Sequence, residues 1–136
     1  MDLKRGVVTG LGALTPIGNS LSEYWEGLVS GKSGADKITY FDCSNFKTQF
    51  ACELKGFNPE DFMDRKLSRK MDRFAQYAIV SSDEAIKDAF PDTSGLDMDR
   101  VGVIWGAGIG GLETFQNEVL GFAAGNGHPR FNPFMI

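Results

Sequence analysis

Nucleophilic catalysis needs a thiol or hydroxyl with a base within hydrogen-bond reach, and this sequence of 136 residues offers few groups for such a set. It has two cysteines, Cys43 and Cys52, and a single histidine, His128, which stands in the run Gly125-Asn126-Gly127-His128-Pro129. Nothing in that spacing brings a thiol and the imidazole together, so His128 reads as a surface residue and the two cysteines as ordinary buried thiols. The cysteines have no second pair for a disulfide framework, and with one histidine they build no zinc site. The carboxylates are spread over helices and loops as on solvated faces, without a metal-ligand spacing such as two histidines at i and i+4. The chain shows no catalytic set of its own.

Its other chemistry-bearing patterns are glycine turns. Gly106-Ala107-Gly108-Ile109-Gly110-Gly111 satisfies G-x-G-x-x-G between a predicted strand and a predicted helix, which is formally the dinucleotide-binding fingerprint. That site also needs a second strand ending in an acid that holds the ribose, whereas here the helix runs into Gly125-Asn126-Gly127-His128-Pro129-Arg130. No cofactor is therefore expected. The better use of the turn, at the carboxyl end of a buried strand, is to shape a pocket with Ile109 as its apolar member. In the earlier turn, Thr9-Gly10-Leu11-Gly12-Ala13-Leu14-Thr15-Pro16-Ile17-Gly18, a nucleotide loop would need glycine where Leu14 and Thr15 stand. Gly10 and Gly12 read instead as places where two backbones pass close together, which only glycine permits.

The elements that must position these turns alternate between strands and helices. Residues 3–11, with an apolar centre between glycines, read as a short buried strand. Ser20 and Glu23 have capping-box spacing, and Leu21, Tyr24, Trp25 and Leu28 recur at helical intervals until Gly31. Around Tyr40-Phe41 and over residues 49–54 the pattern reads as short strands or extended loop. Ala75, Ala78, Ile79, Ser82, Ile86, Ala89 and Phe90 form one stripe of a long helix ending at Pro91. Residues 101–106 are a nearly continuous apolar run between glycines, read as a strand buried on both faces of a helix-covered parallel sheet. Leu112, Phe115, Val119, Phe122 and Ala123 then give the apolar face of a last helix. The fold class is α/β.

Composition excludes several functions. The net charge of −4 argues against general nucleic-acid or anionic-membrane binding. No apolar run approaches the ~20 residues that cross a bilayer, and the start is too short for a signal-peptide core, so a cytoplasmic location is expected. One local exception breaks the acidic average. Residues 65–73, Arg65-Lys66-Leu67-Ser68-Arg69-Lys70-Met71-Asp72-Arg73, carry five bases and one acid, a local +4 that leaves −8 for the rest. The final Phe134-Met135-Ile136 is apolar enough to read as a cut through a longer protein.

Taken together, Val7-Val8-Thr9-Gly10-Leu11-Gly12-Ala13-Leu14-Thr15-Pro16-Ile17-Gly18, Arg69-Lys70-Met71-Asp72-Arg73-Phe74, Gly106-Ala107-Gly108-Ile109-Gly110-Gly111 and Asn132-Pro133-Phe134 closely resemble the amino-terminal third of the β-ketoacyl-[acyl-carrier-protein] synthase II family. The resemblance spans essentially all of residues 1–136. It implies a thiolase-like αβαβα layered fold, of which only the first part of the amino-terminal half is present, and a homodimer in the full-length protein. It implies an acyltransferase of fatty acid biosynthesis that performs a decarboxylative Claisen condensation. A cysteine takes the acyl chain, malonyl on the acyl carrier protein is decarboxylated to attack it, and two histidines assist. Those three residues lie beyond residue 136, so the piece is expected to be inactive alone. By the same resemblance, Lys66, Arg69, Lys70 and Arg130 dock the acidic carrier protein, and Ile109 lines the acyl pocket. Met135 falls where the partner subunit usually lends a phenylalanine to that pocket, and Gly6 replaces a larger residue of the first strand. The alternatives are a thiolase-fold chain-length factor without condensing activity and an NAD-binding oxidoreductase domain.

Overall fold

The computed structural model describes residues 4–128 and 130–133. Four α-helices, α1 (Leu21–Val29), α2 (Arg65–Ser68), α3 (Arg73–Ala89) and α4 (Leu112–Ala124), are joined by loops, two single-turn 3₁₀ segments and one short strand pair. The strands are β1 (Asp36–Lys37) and β2 (Phe50–Ala51), antiparallel with Asp36 opposite Ala51 and Lys37 opposite Phe50. The described chain divides into two compact units, one running to Phe57 and including Val80–Gly95, the other made of Asn58–Ile79 and the residues from Leu96 onward.

In the first unit α1 begins as its sequence predicts. Ser20 Oγ accepts from the Glu23 amide at 3.3 Å, and the Glu23 carboxylate reaches back to the Asn19 amide at 2.8 Å, one residue before the usual capping-box partner. The helix stops in a Schellman arrangement: Lys32 N–H donates to Gly27 O and Gly31 N–H to Leu28 O, with Gly31 at φ +68°.

The segment before α1 is laid along α3 by contacts that leave no room for side chains. A Cβ at Gly10 would meet Ala85 O and stand 2.6 Å from Ala89 N, and one at Gly12 would meet Ser81 O and stand 2.9 Å from Ala85 N. The small residues Ser81, Ala85 and Ala89 thus form the face on which the backbone rests. Carboxylates on the adjoining positions of α3 fix it: Glu84 accepts from the amides of Ala13 (2.8 Å) and Leu21 (2.7 Å), and Asp88 from that of Leu11 (2.9 Å). Gly10 and Gly12 are therefore close-approach glycines, as their sequence context suggested.

Two predicted strands are not formed among the described residues. Residues 4–11 and 101–106 belong to no ladder. Instead of being buried on both faces, Val103 is 79% and Ile104 99% exposed. An apolar run supplies strand propensity, but a parallel strand exists only when neighbours pair with its amides and carbonyls. Gly6 likewise lies in no strand, and a Cβ there would meet nothing within 4 Å. The strand expected around Tyr40-Phe41 forms earlier, at Asp36–Lys37, and that expected at 49–54 is confined to Phe50–Ala51. Of the two cysteines, Cys43 is buried as expected, whereas Cys52 is exposed.

Candidate functional site

The basic patch is built on α2 and the turn after it. Asp64 caps this one-turn helix, its carboxylate accepting from the Lys66 amide at 2.7 Å, while Ser68 Oγ donates to Arg65 O at 3.0 Å. Arg69 closes the helix and Lys70 follows in the turn. That turn is pinned from beneath by Gln76 of α3, whose side-chain amide donates to Ser68 O at 2.9 Å and Met71 O at 3.2 Å. Gln76 and Ser68 are buried, and the Gln76 amide joins the Met71 N–H on Ser68 O while also donating to Met71 O, which holds the turn in a fixed geometry. Nothing in the sequence singled Gln76 out. Its only signal is a polar side chain on the helix face that otherwise carries Ala75, Ile79 and Val80.

The five bases of this stretch divide into two groups. Arg65 Nε pairs with Glu60 at 3.2 Å and Arg73 Nε with Glu113 at 2.8 Å, so the outermost two are held by acids of the same unit. Lys66, Arg69 and Lys70 between them are exposed. Their high density of positive charge on a rigid turn suits a partner with an acidic surface.

Arg130 is placed from the other end of α4. Phe122 of that helix stacks on Phe131, ring centres 5.5 Å apart, and Glu118 accepts from the Asn132 amide at 2.8 Å. Arg130 is exposed and lines a cavity of about 530 Å³ with Asn117, Glu118, Phe122 and His128. His128 is exposed in this loop, whereas Cys43 is buried in the other unit with its Sγ 3.9 Å from Gln49 O.

Ile109 stands in the turn that leads into α4. Gly110 adopts φ +78°, which reverses the chain at no cost only for glycine. Ile109 lines a cavity of about 470 Å³ with Met71, Phe74, Leu112 and Phe115, whose side chains make it largely apolar. Ile109 is itself 78% exposed, so it forms the rim rather than the floor. The N-terminus of α4 has no side-chain cap of its own. It receives one from Asp72, whose carboxylate accepts from the Thr114 amide at 2.8 Å. In a dinucleotide site that end of the helix holds a pyrophosphate; here a carboxylate occupies it and would repel one. Met135, expected to reach the same pocket, lies outside the described residues. Among the described residues no group of three or more His, Cys, Asp or Glu could hold a metal ion, and no helix is long and apolar enough to cross a membrane.

The chain is similar to several known proteins. It is 44% identical over its whole length to a 3-oxoacyl-[acyl-carrier-protein] synthase 2 of Synechocystis sp., of which it covers 32%. A Staphylococcus aureus protein of the same name is 52% identical over 83% of the chain, which covers 27% of that protein. The chain thus spans about a third of the length of these relatives. Among solved structures, an ishigamide ketosynthase/chain length factor matches 95% of the chain at a TM-score of 0.75 and 30% identity, over 32% of its own length. A β-ketoacyl synthase from Burkholderia phymatum matches 91% at a TM-score of 0.70 and 27% identity, over 31% of its length. A type II polyketide ketosynthase solved in complex with its acyl-carrier protein matches 94% at 0.72 and 26% identity, over 34% of the matched chain. These likenesses assign the thiolase-like α/β fold. The profile described as Beta-ketoacyl synthase, N-terminal domain, matches residues 4–134, and the chain belongs to that family.

Proposed function

We propose that the chain is the first part of the amino-terminal half of a β-ketoacyl-[acyl-carrier-protein] synthase of fatty acid biosynthesis, an acyltransferase that condenses acyl groups with malonyl on the carrier protein. Its contribution is recognition. Lys66, Arg69, Lys70 and Arg130 meet the acidic carrier protein, and Ile109 lines the acyl pocket together with Met135 of the partner subunit in a cytoplasmic homodimer. The nucleophile and the two histidines come from residues other than these 136, so the piece alone forms no β-ketoacyl product.

The observation that carries this reading is the exposed trio Lys66, Arg69 and Lys70 on a turn pinned by Gln76, between two arginines already held by acids. Exposed together on that turn, the three bases give a positive surface for an acidic partner. Charge at an exposed rim acts mainly on encounter and is screened within ~8–10 Å at ordinary salt. Lys66→Glu and Arg69→Glu in the full-length enzyme are therefore expected to lower kcat/KM for carrier-bound substrates, most at low ionic strength, and to spare a small carrier-free thioester. Equal losses on both substrates, or losses independent of salt, would refute docking. A chain-length-factor reading is favoured by the name of one structural neighbour. It requires that the full-length protein form no condensation product by itself, which the same assay reads.

A further inference from the structure

Asp72 and Arg73 are consecutive residues that grip consecutive residues in the first turn of α4. Asp72 Oδ2 accepts from the Thr114 amide at 2.8 Å, and Arg73 Nε pairs with Glu113 Oε2 at 2.8 Å. The same carboxylate lies against Gly111, where an added Cβ would stand 3.5 Å from Oδ2. The first amides of a helix have no partner within it, and the N-cap here is Gly111, which has no side chain to offer. Asp72 supplies the missing acceptor from outside the helix, with a negative charge at the positive end of its dipole.

The turn ahead of that clamp has little else to hold it. Gly106 and Gly108 would meet nothing within 4 Å if given a Cβ, and Gly110 sits at φ +78°. Glycines fix no conformation by themselves, so the anchored end at residues 111–114 decides where Ile109 stands, two residues earlier. Asp72 and Ile109 also line the same cavity.

We propose that Asp72 is a positioning residue: by capping α4 it fixes Ile109 and so sets the length of acyl chain that the pocket accepts. This rests on the acyl-pocket reading of Ile109 above. Asp72 touches no reacting atom and acts only through the turn.

The test compares acyl-carrier substrates of short and long chain in the full-length synthase. Asp72→Ala is expected to lower kcat for the longest chains relative to the shortest by about 5–30-fold, the size of a lost helix cap, while KM for the carrier protein stays within about twofold. Thr114 and its neighbours should exchange their amide protons faster by a similar factor. Asp72→Asn, whose Oδ1 still accepts from Thr114, should restore most of both. Should Asp72→Ala fail to fold, Glu113→Gln loosens the same turn more gently and should shift the profile in the same direction. A loss equal at all chain lengths, or unchanged exchange at Thr114, would overturn the proposal. Ile109→Phe separates the two layers of the argument. If it leaves the length profile flat, the pocket reading itself has failed; if it truncates the profile and Asp72→Ala does not, positioning alone has failed.

Discussion

Replacing Gly12 by alanine is expected to destabilise the protein, and replacing Gly6 by alanine is not. The two glycines lie six residues apart in one segment, yet a Cβ at Gly6 meets nothing within 4 Å while one at Gly12 meets Ser81 O and comes to 2.9 Å from Ala85 N. Both obstacles at Gly12 are helix backbone and cannot rotate away, so the segment must lift from α3. Overpacking of this kind costs about 1–3 kcal/mol. Lifting also strains the bond from the Ala13 amide to Glu84, 2.8 Å long and made by the very next residue. A hydrogen bond to a charged group contributes about 1.5–3 kcal/mol, so a total near 3 kcal/mol is a fair expectation. With a urea slope of about 1–3 kcal/mol/M, that moves the unfolding midpoint down by roughly 1–3 M. Gly6→Ala should instead hold or raise the midpoint, since it only removes freedom from the unfolded chain, at about 0.4–1 kcal/mol. Equilibrium urea unfolding of the full-length protein followed by far-UV circular dichroism is the assay. A Gly12→Ala midpoint matching that of Gly6→Ala would refute the close-approach argument.

Three other outcomes follow from features far from the candidate site. Cys52 is exposed and Cys43 is 2% exposed; a maleimide should therefore label Cys52 in the native protein and Cys43 only after denaturant is added, and equal labelling rates would contradict the burial. The Asp36 carboxyl is held below its ordinary 3.8, first by its hydrogen bond with Lys55 and then by the Lys37 amide. Its lowered value means a stabilising contribution present above the unfolded pKa and lost as pH falls through the folded one. Carbon-detected titration should place its midpoint under 3.8, with Lys55→Met raising it, and an unchanged midpoint in that variant would remove Lys55 as the cause. Ser20→Ala should cost about 1 kcal/mol through loss of the α1 cap; a variant as stable as the wild type in urea would mean that Glu23 alone holds the helix start.

The parts of the fold legible in the sequence were those written in local chemistry. Ser20, Glu23 and Gly31 bracket α1, Pro91 follows the end of α3, and the stripe from Leu112 to Phe122 marks α4. Gly10 and Gly12 were readable because few residues other than glycine tolerate such contact. The basic patch was readable as charge density, and its exposure follows. What the sequence did not show depends on partners distant along the chain. Residues 101–106 have the composition of a strand but no ladder among the described residues, and ladder formation is a property of neighbours rather than of the run itself. Asp72 and Thr114 are 42 residues apart, and a single acid within a basic stretch carries no local mark of its target. Gln76 was hidden for the same reason, since its acceptors are backbone carbonyls and any residue could supply them.

Val103 and Ile104, nearly bare to solvent, bear on how such a protein is made. A ribosome adds about 5–20 residues per second, so an uncharged Val103-Ile104-Trp105 spends seconds in water as an adhesive tape while synthesis continues. A chaperone that binds short extended apolar segments would find a footing here. Gly102 and Gly106, one on each side, interrupt the β-prone pattern that lets identical segments stack into fibres.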